Sequence, residues 1–167
     1  MNDMCDTNEQ RVYDVLAELQ IHFERHEHPP VFTVEEANQH WAGIDAAHCK
    51  NLFLRNKKGA VHYLMILEHL KQVDLRRLVD RLGDDRLSFA SPERLMANLG
   101  LSAGSVSPFG LINDQKRQVQ VVIDADLKAA ERIAFHPNVN TATIVLAWTD
   151  FQRFLAWCGN PVRFITL

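Results

Sequence analysis

A mixed α/β fold of the α+β type is what this chain of 167 residues predicts. Three observations carry the reading. Two apolar runs, Leu52 to Leu54 and Val61 to Leu67, flank Asn56-Lys57-Lys58-Gly59, a polar connection ending in glycine that suits a β-hairpin. Several other stretches carry helix start and stop signals. Strands and helices are then mixed without the regular alternation of a doubly wound parallel sheet.

The elements follow in order. Val12, Val15, Leu16, Leu19 and Phe23 have helical spacing, which predicts an amphipathic helix from Glu9 to Arg25. Residues 1–15 are expected to include a loosely ordered extension leading into it. Pro29 and Pro30 close that segment, because a residue before proline is pushed out of helical geometry. Thr33 and Glu36 form a capping-box pattern, so a short helix is expected from Val34 to about His40. After the hairpin, Asp74 starts a helix that Gly83 stops, and Ser91-Pro92-Glu93 starts another that Gly100 stops. Gly104 to Gly110 is small, proline-punctuated and loop-like. Gln118 to Ile123, Arg132 to Phe135 and Thr141 to Trp148 are strand candidates, with a turn or brief helix at Asp124 to Lys128. Thr149 with Gln152 is expected to cap a last helix ending near Gly159 and Pro161.

A hydrophobic content of 47% with 23% charged residues is ordinary for a globular domain, and the length fits a single domain over 1–167. No apolar run is long enough to span a bilayer, and Met1 to Gln10 does not resemble a signal peptide. A cytoplasmic location is the default expectation. Cys5, Cys49 and Cys158 are scattered and odd in number, which argues against a disulfide framework. The net charge of −3 argues against a generally basic nucleic-acid coat. From Lys50 to Arg86, however, nine Lys/Arg stand against five Asp/Glu, so one basic face could meet a phosphate-bearing partner.

Each chemical candidate has a structural counterpart. His22, His26 and His28 could hold zinc, but no Cys pair or second histidine cluster accompanies them, and an exposed histidine-rich helix end is preferred. His48 and Cys49 are strand neighbours on opposite faces, so they would not pair as base and nucleophile; a buried structural cysteine is preferred. No phosphate-binding loop, serine-hydrolase elbow or dinucleotide fingerprint is present. Three separated elements remain: Lys50-Asn51 at the mouth of a strand, the Gly104 to Pro108 loop, and His136-Pro137-Asn138. They supply a cation, a carboxamide, backbone amides and an imidazole. That set suits hydrolysis of an activated ester, with a solvated strand end as the competing account of Lys50-Asn51.

Lys50-Asn51-Leu52-Phe53-Leu54, Gly104-Ser105-Val106-Ser107-Pro108 and Phe135-His136-Pro137-Asn138 resemble the YbaK-like aminoacyl-tRNA deacylases, as does His28-Pro29-Pro30-Val31-Phe32-Thr33-Val34-Glu35-Glu36. Within that superfamily the chain is most similar to the free-standing prolyl-tRNA synthetase-associated domains that edit alanyl-tRNA(Pro). The likeness runs from about Leu16 to the C-terminus. It implies a partly barrel-like mixed sheet surrounded by helices, and no metal or organic cofactor. It implies Lys50 beside the phosphate of the terminal adenosine, Asn51 orienting substrate, Gly104 offering backbone contacts to the ester carbonyl, and His136 shaping the aminoacyl pocket or helping to hold the reacting group. Val31, Phe32 and Thr33 would be pocket walls, with Ser105, Pro108 and Asn138 also substrate-binding. Family mechanisms rely on backbone groups, a water and the substrate's own ribose hydroxyl.

The activity expected is trans-editing hydrolysis of alanyl-tRNA(Pro). A same-fold deacylase for cysteinyl or another small aminoacyl-tRNA, or a noncatalytic module binding tRNA or a synthetase, are the alternatives. Lys57, Lys58, Arg76, Arg77 and Arg81 are candidate acceptor-stem contacts. The expected partners are the acceptor end of tRNA(Pro) and prolyl-tRNA synthetase, with a monomer favoured.

Overall fold

The computed structural model describes residues 3–167. In chain order its elements are α1 (Asp3–Glu18), β1 (Phe23–Glu27), α2 (Val34–Trp41), β2 (Ala47–Arg55), β3 (His62–Glu68), α3 (Leu75–Leu82), β4 (Ser88–Phe89), α4 (Pro92–Leu99), β5 (Gln120–Asp124), β6 (Arg132–Phe135), β7 (Ala142–Ala147), α5 (Trp148–Cys158) and β8 (Val162–Ile165). Two 3₁₀ turns, Pro108–Asn113 and Ala125–Ala129, flank β5. The strands form one mixed sheet in the order β1-β7-β6-β2-β3-β5-β8, with β4 beside the end of β2. The α+β class with a mixed sheet is as expected. The path ends at β1 and β8 without closing.

The hairpin lies at its centre. β2 and β3 pair antiparallel from Cys49↔Glu68 to Arg55↔His62, while β3 pairs β5 in parallel. β3 reads as an unbroken apolar run because both its faces are covered. Leu64 and Ile66 face a core with Val12, Leu16, Phe109, Phe151 and Phe154, while Tyr63, Met65 and Leu67 face Leu78 and Leu82 of α3. Each fully buried Leu or Phe contributes about 1.5–3 kcal/mol, enough to hold this hairpin as a rigid platform.

Local signals set several boundaries. Thr33 Oγ1 accepts from Glu36 N at 3.1 Å, and Glu36 reaches back to the N–H of Phe32 at 2.9 Å. Asp74 and Ser91 cap α3 and α4 as expected, and Gly83 and Gly100 end them in the left-handed region.

Other expectations are corrected. The first helix spans Asp3–Glu18, not Glu9 to Arg25; residues 1 and 2 of the expected extension lie outside the described residues. It stops because Gln20 takes a positive φ and Ile21 N bonds back to Leu16 O at 2.8 Å. Phe23–Glu27 then pairs with β7, and Phe23 stacks on Tyr13 of α1. The exposed histidine-rich helix end therefore does not exist: His26 lies in β1, and His28 is buried beyond it. The last helix begins one residue before Thr149, without a side-chain cap. There the Trp148 N–H is met by Glu131 O at 2.9 Å, a backbone partner that makes the hydroxyl unnecessary. β4 and β8 were not foreseen.

Candidate active site

β2 is paired on one edge by β3 along its length, but on the other edge only at its ends. β6 takes Ala47 and His48, and β4 takes Leu54 and Arg55. Between them the edge pairs with no other strand among the described residues. The pairing alternation decides which groups face this gap. His69 N bonds His48 O, and Asn56 N bonds Val61 O, so even-numbered residues of β2 spend their backbone groups on β3. Odd-numbered residues point the other way, as the bond from Ala90 N to Phe53 O shows. The main-chain groups of Asn51, with the carbonyl of Cys49, therefore face the gap. Lys50 and Asn51 lie inside β2, not at its mouth as expected, because the strand starts at Ala47.

The other two elements converge here. The Asn51 carboxamide donates to Val106 O at 3.3 Å, which ties the glycine loop to β2. Ser107 Oγ donates to His136 O at 2.6 Å and accepts from Phe109 N at 3.2 Å, which ties the same loop to the turn after β6. The result is a cleft of about 260 Å³ lined by Lys50, Asn51, Gly104 and His136, with Val31, Phe32 and Thr33 along one wall. That is slightly smaller than the roughly 300–1,000 Å³ of pockets that enclose drug-sized ligands, so it suits a small acyl group on a larger molecule left outside. Ala37 and Trp41 of α2, Cys49, His69 and Val106 complete the lining.

Each polar group has a definite state. Lys50 is half-buried and makes no ion pair or hydrogen bond with the described residues, unlike Lys71, which is bonded to Asp124 and Asp126. Asn51 Oδ1 is buried and has no hydrogen-bond partner among the described residues. His136 Nδ1 lies 2.8 Å from Ala142 O; a carbonyl only accepts, so Nδ1 carries the proton and Nε2 keeps its lone pair. Burial holds the His136 imidazole below its usual range; the carbonyl bond opposes this and the nearby His28 adds to it. His28 is fixed in turn: its Nδ1 faces Pro29 O and its Nε2 faces Thr143 Oγ1, both at 2.9 Å, and Trp41 donates to that hydroxyl at 3.3 Å. Gly104 sits at φ +90°, which favours glycine.

Ser105, Pro108 and Asn138 do not line the cleft. Ser105 is buried in the loop, Pro108 opens the 3₁₀ turn behind it, and Asn138 is buried at φ +61° in the turn that carries His136. The basic candidates also lie elsewhere. Lys57 and Lys58 occupy the hairpin turn beyond the end of β2, seven to eight residues and so roughly 20 Å from Lys50. Arg76, Arg77 and Arg81 sit on α3, which leaves the cleft end of β3 and runs back toward that turn. Cys49 is buried with its thiol pushed well up by burial, then by Glu68 and Asp124, which removes it as a nucleophile. His48 lies on the opposite strand face, stacked on Trp41 at 4.6 Å. Trp41 and His69 escaped sequence reasoning, and His28 entered it only as a metal candidate and in a matching segment. Counting the hairpin register back from Asn56 would have placed His69 opposite His48.

An ammonium with no ion pair among the described residues, an imidazole nitrogen with its lone pair free, main-chain groups and a small open cleft at an interrupted strand are the groups that hydrolysis of an activated ester uses. Residues 28–154 match the aminoacyl-tRNA editing domain, and the chain belongs to that family. It is 41% identical over 162 residues to the prolyl-tRNA editing protein ProX of Acetoanaerobium sticklandii, covering 95% of this chain and 96% of that protein. It is also 37% identical over 155 residues to the prolyl-tRNA synthetase associated domain-containing protein 1 of Xenopus laevis, covering 90% and 92%. A crystal structure described as a candidate trans-editing enzyme for prolyl-tRNA synthetase shares the fold, with a TM-score of 0.72 at 22% identity over 96% of this chain and 97% of that one. No helix among the described residues is long and apolar enough to cross a membrane.

Proposed function

We propose that the chain is a single cytoplasmic editing unit that hydrolyses the ester between alanine and the 3′ end of tRNA(Pro), releasing both. The observation that carries this reading is the meeting of Lys50, Asn51, the Gly104 loop and His136 on one small cleft. Lys50, with no carboxylate of its own, anchors the phosphate of the terminal adenosine. The open edge of β2 and the Gly104 loop present main-chain N–H groups where charge develops on the ester oxygen. Asn51 Oδ1 accepts from a ribose hydroxyl. His136, kept neutral by burial, turns its Nε2 lone pair toward the aminoacyl group.

Val31, Phe32 and Thr33 wall the pocket, and Phe32, 74% exposed, also offers its ring to the terminal base. Ser105, Pro108 and Asn138 act from behind by holding the two turns. Arg76 and Arg77, at the start of α3, with Arg81 and the more distant Lys57 and Lys58, follow the acceptor stem as it leaves the cleft. Prolyl-tRNA synthetase is the enzyme whose error is corrected, and no cofactor is required.

The physical motive is fidelity. A synthetic site shaped for proline admits the smaller alanine, because a missing methylene in a hydrophobic pocket is worth only about 1–3 kcal/mol. A second pocket that accepts alanine and blocks proline restores discrimination. The test is multiple-turnover deacylation of alanyl-, seryl-, cysteinyl- and prolyl-tRNA(Pro) side by side. Preferred release of alanine with prolyl-tRNA(Pro) left intact is expected. A preference for cysteine moves the specificity, and the absence of turnover on every substrate leaves only a binding module.

A further inference from the structure

His69 faces the cleft from the first position beyond β3. Its backbone N–H donates to His48 O at 3.0 Å and so adds one rung to the hairpin ladder. Its Nδ1 lies 3.1 Å from that same carbonyl oxygen and 2.8 Å from Glu68 Oε1. Neither oxygen donates, so Nδ1 carries the ring proton and Nε2 holds the lone pair. Glu68 is itself held, its other oxygen accepting from Leu70 N at 3.1 Å. Trp41 of α2 packs edge-on to the ring at 5.4 Å and fixes its plane. Nε2 has no partner among the described residues, and the ring lines the cleft with Lys50, Gly104 and His136.

The hairpin register sets the distance to the substrate anchor. His69 stands opposite His48, and Lys50 is two residues further along β2, hence on the same face and diagonal to His69. Such diagonal neighbours are about 7–8 Å apart. A phosphate held by Lys50 therefore leaves the adjoining ribose ester within reach of His69.

We propose that His69 is the general base of the deacylation and Glu68 its positioning residue; this rests on the editing function proposed above. Nε2 takes a proton from water as the oxygen bonds to the ester carbonyl carbon. The tetrahedral intermediate then collapses, the bond from that carbon to the ribose oxygen breaks, and the imidazolium returns the proton to the departing alkoxide. Water and ester become free amino acid and tRNA. The Glu68 carboxylate fixes the tautomer and stabilises the transient imidazolium. His136 is less suited to this step, because burial, with His28 nearby, holds its imidazole below its usual range. The ionisable groups facing His69 are Glu68, His48, Lys50 and, across the cleft, His136.

The experiment is steady-state deacylation of alanyl-tRNA(Pro) by the full chain from about pH 5 to about pH 8, with wild type, His69→Gln and Glu68→Gln. His69→Gln is expected to lose kcat by about 10²–10⁴-fold with KM little changed, and to lose the acid limb of the wild-type kcat profile. Glu68→Gln is expected to fall by about tenfold or more and to displace that limb. Thermal melts report folding; if His69→Gln melts early, Glu68→Gln carries the test. Wild-type kcat in a folded variant, or an acid limb that survives removal of His69, overturns the assignment. An inactive wild type sinks the editing function itself, whereas an active wild type beside an equally active His69→Gln sinks only the base.

Discussion

Replacing Lys50 by alanine separates an anchoring role from a structural one. The ammonium is half-buried and unpaired among the described residues, so its removal strands no carboxylate there and is expected to change stability by no more than about 0.5 kcal/mol. The loss falls on the complex. A hydrogen bond to a charged group contributes about 1.5–3 kcal/mol, and each 1.36 kcal/mol is tenfold, so kcat/KM is expected to drop by roughly 10- to 150-fold. The logarithm of binding against salt should lose about one unit of slope, because one phosphate contact is gone. Lys71→Ala is the control with the opposite signature. It leaves Asp124, fully buried and bonded to Lys71 at 3.1 Å, without its cation, at a cost on the order of 3 kcal/mol, while the cleft keeps its lining. Paired measurements of kcat/KM and thermal midpoint decide the matter. A Lys50→Ala protein with kcat/KM within about threefold of wild type and an unchanged salt slope would refute the anchor.

Gly104→Ala places a methyl 3.7 Å from the Phe32 ring, ordinary contact, so its cost of about 1–2 kcal/mol comes from the positive φ; kcat should fall as the loop amides shift, and an unaltered kcat would count against them. His136→Ala should change rate or amino-acid preference, and an identical profile across alanyl, seryl and cysteinyl substrates would remove it from the pocket. Burial holds the imidazoles of His48, His62 and His136 below their usual range, so the folded protein binds those protons less tightly than the unfolded chain. Stability from this source is complete above about pH 6.5 and is lost as pH falls from there. The thermal midpoint should therefore decline between about pH 6.5 and pH 5, with His48→Gln flattening the slope; a flat wild-type curve would contradict it.

Helix limits set by local hydrogen bonds were legible: Thr33, Asp74 and Ser91 name their own starts, and Gly83 and Gly100 their stops. The end of α1 was not. Phe23 continues the helical spacing of Leu19, but what it meets is Tyr13 and strand β7, a tertiary outcome that periodicity cannot distinguish. β4 and β8 are short and take their strand form from partners distant in sequence. The same split runs through the site. Motif-bearing residues announced themselves, whereas Trp41 and His69 matter because separate elements bring them together.

The open stretch of β2 also bears on solubility. An unpaired strand edge invites pairing with a foreign chain, and proteins normally cover, charge or shorten such edges. Here β6 and β4 act as bookends, leaving only a short stretch about Asn51 without a strand partner among the described residues, with the glycine loop across from it. An intruding peptide finds too few rungs to climb, whereas the tip of an RNA needs only one or two. The chain keeps main-chain hydrogen-bonding capacity free for its cargo without becoming a template for fibres.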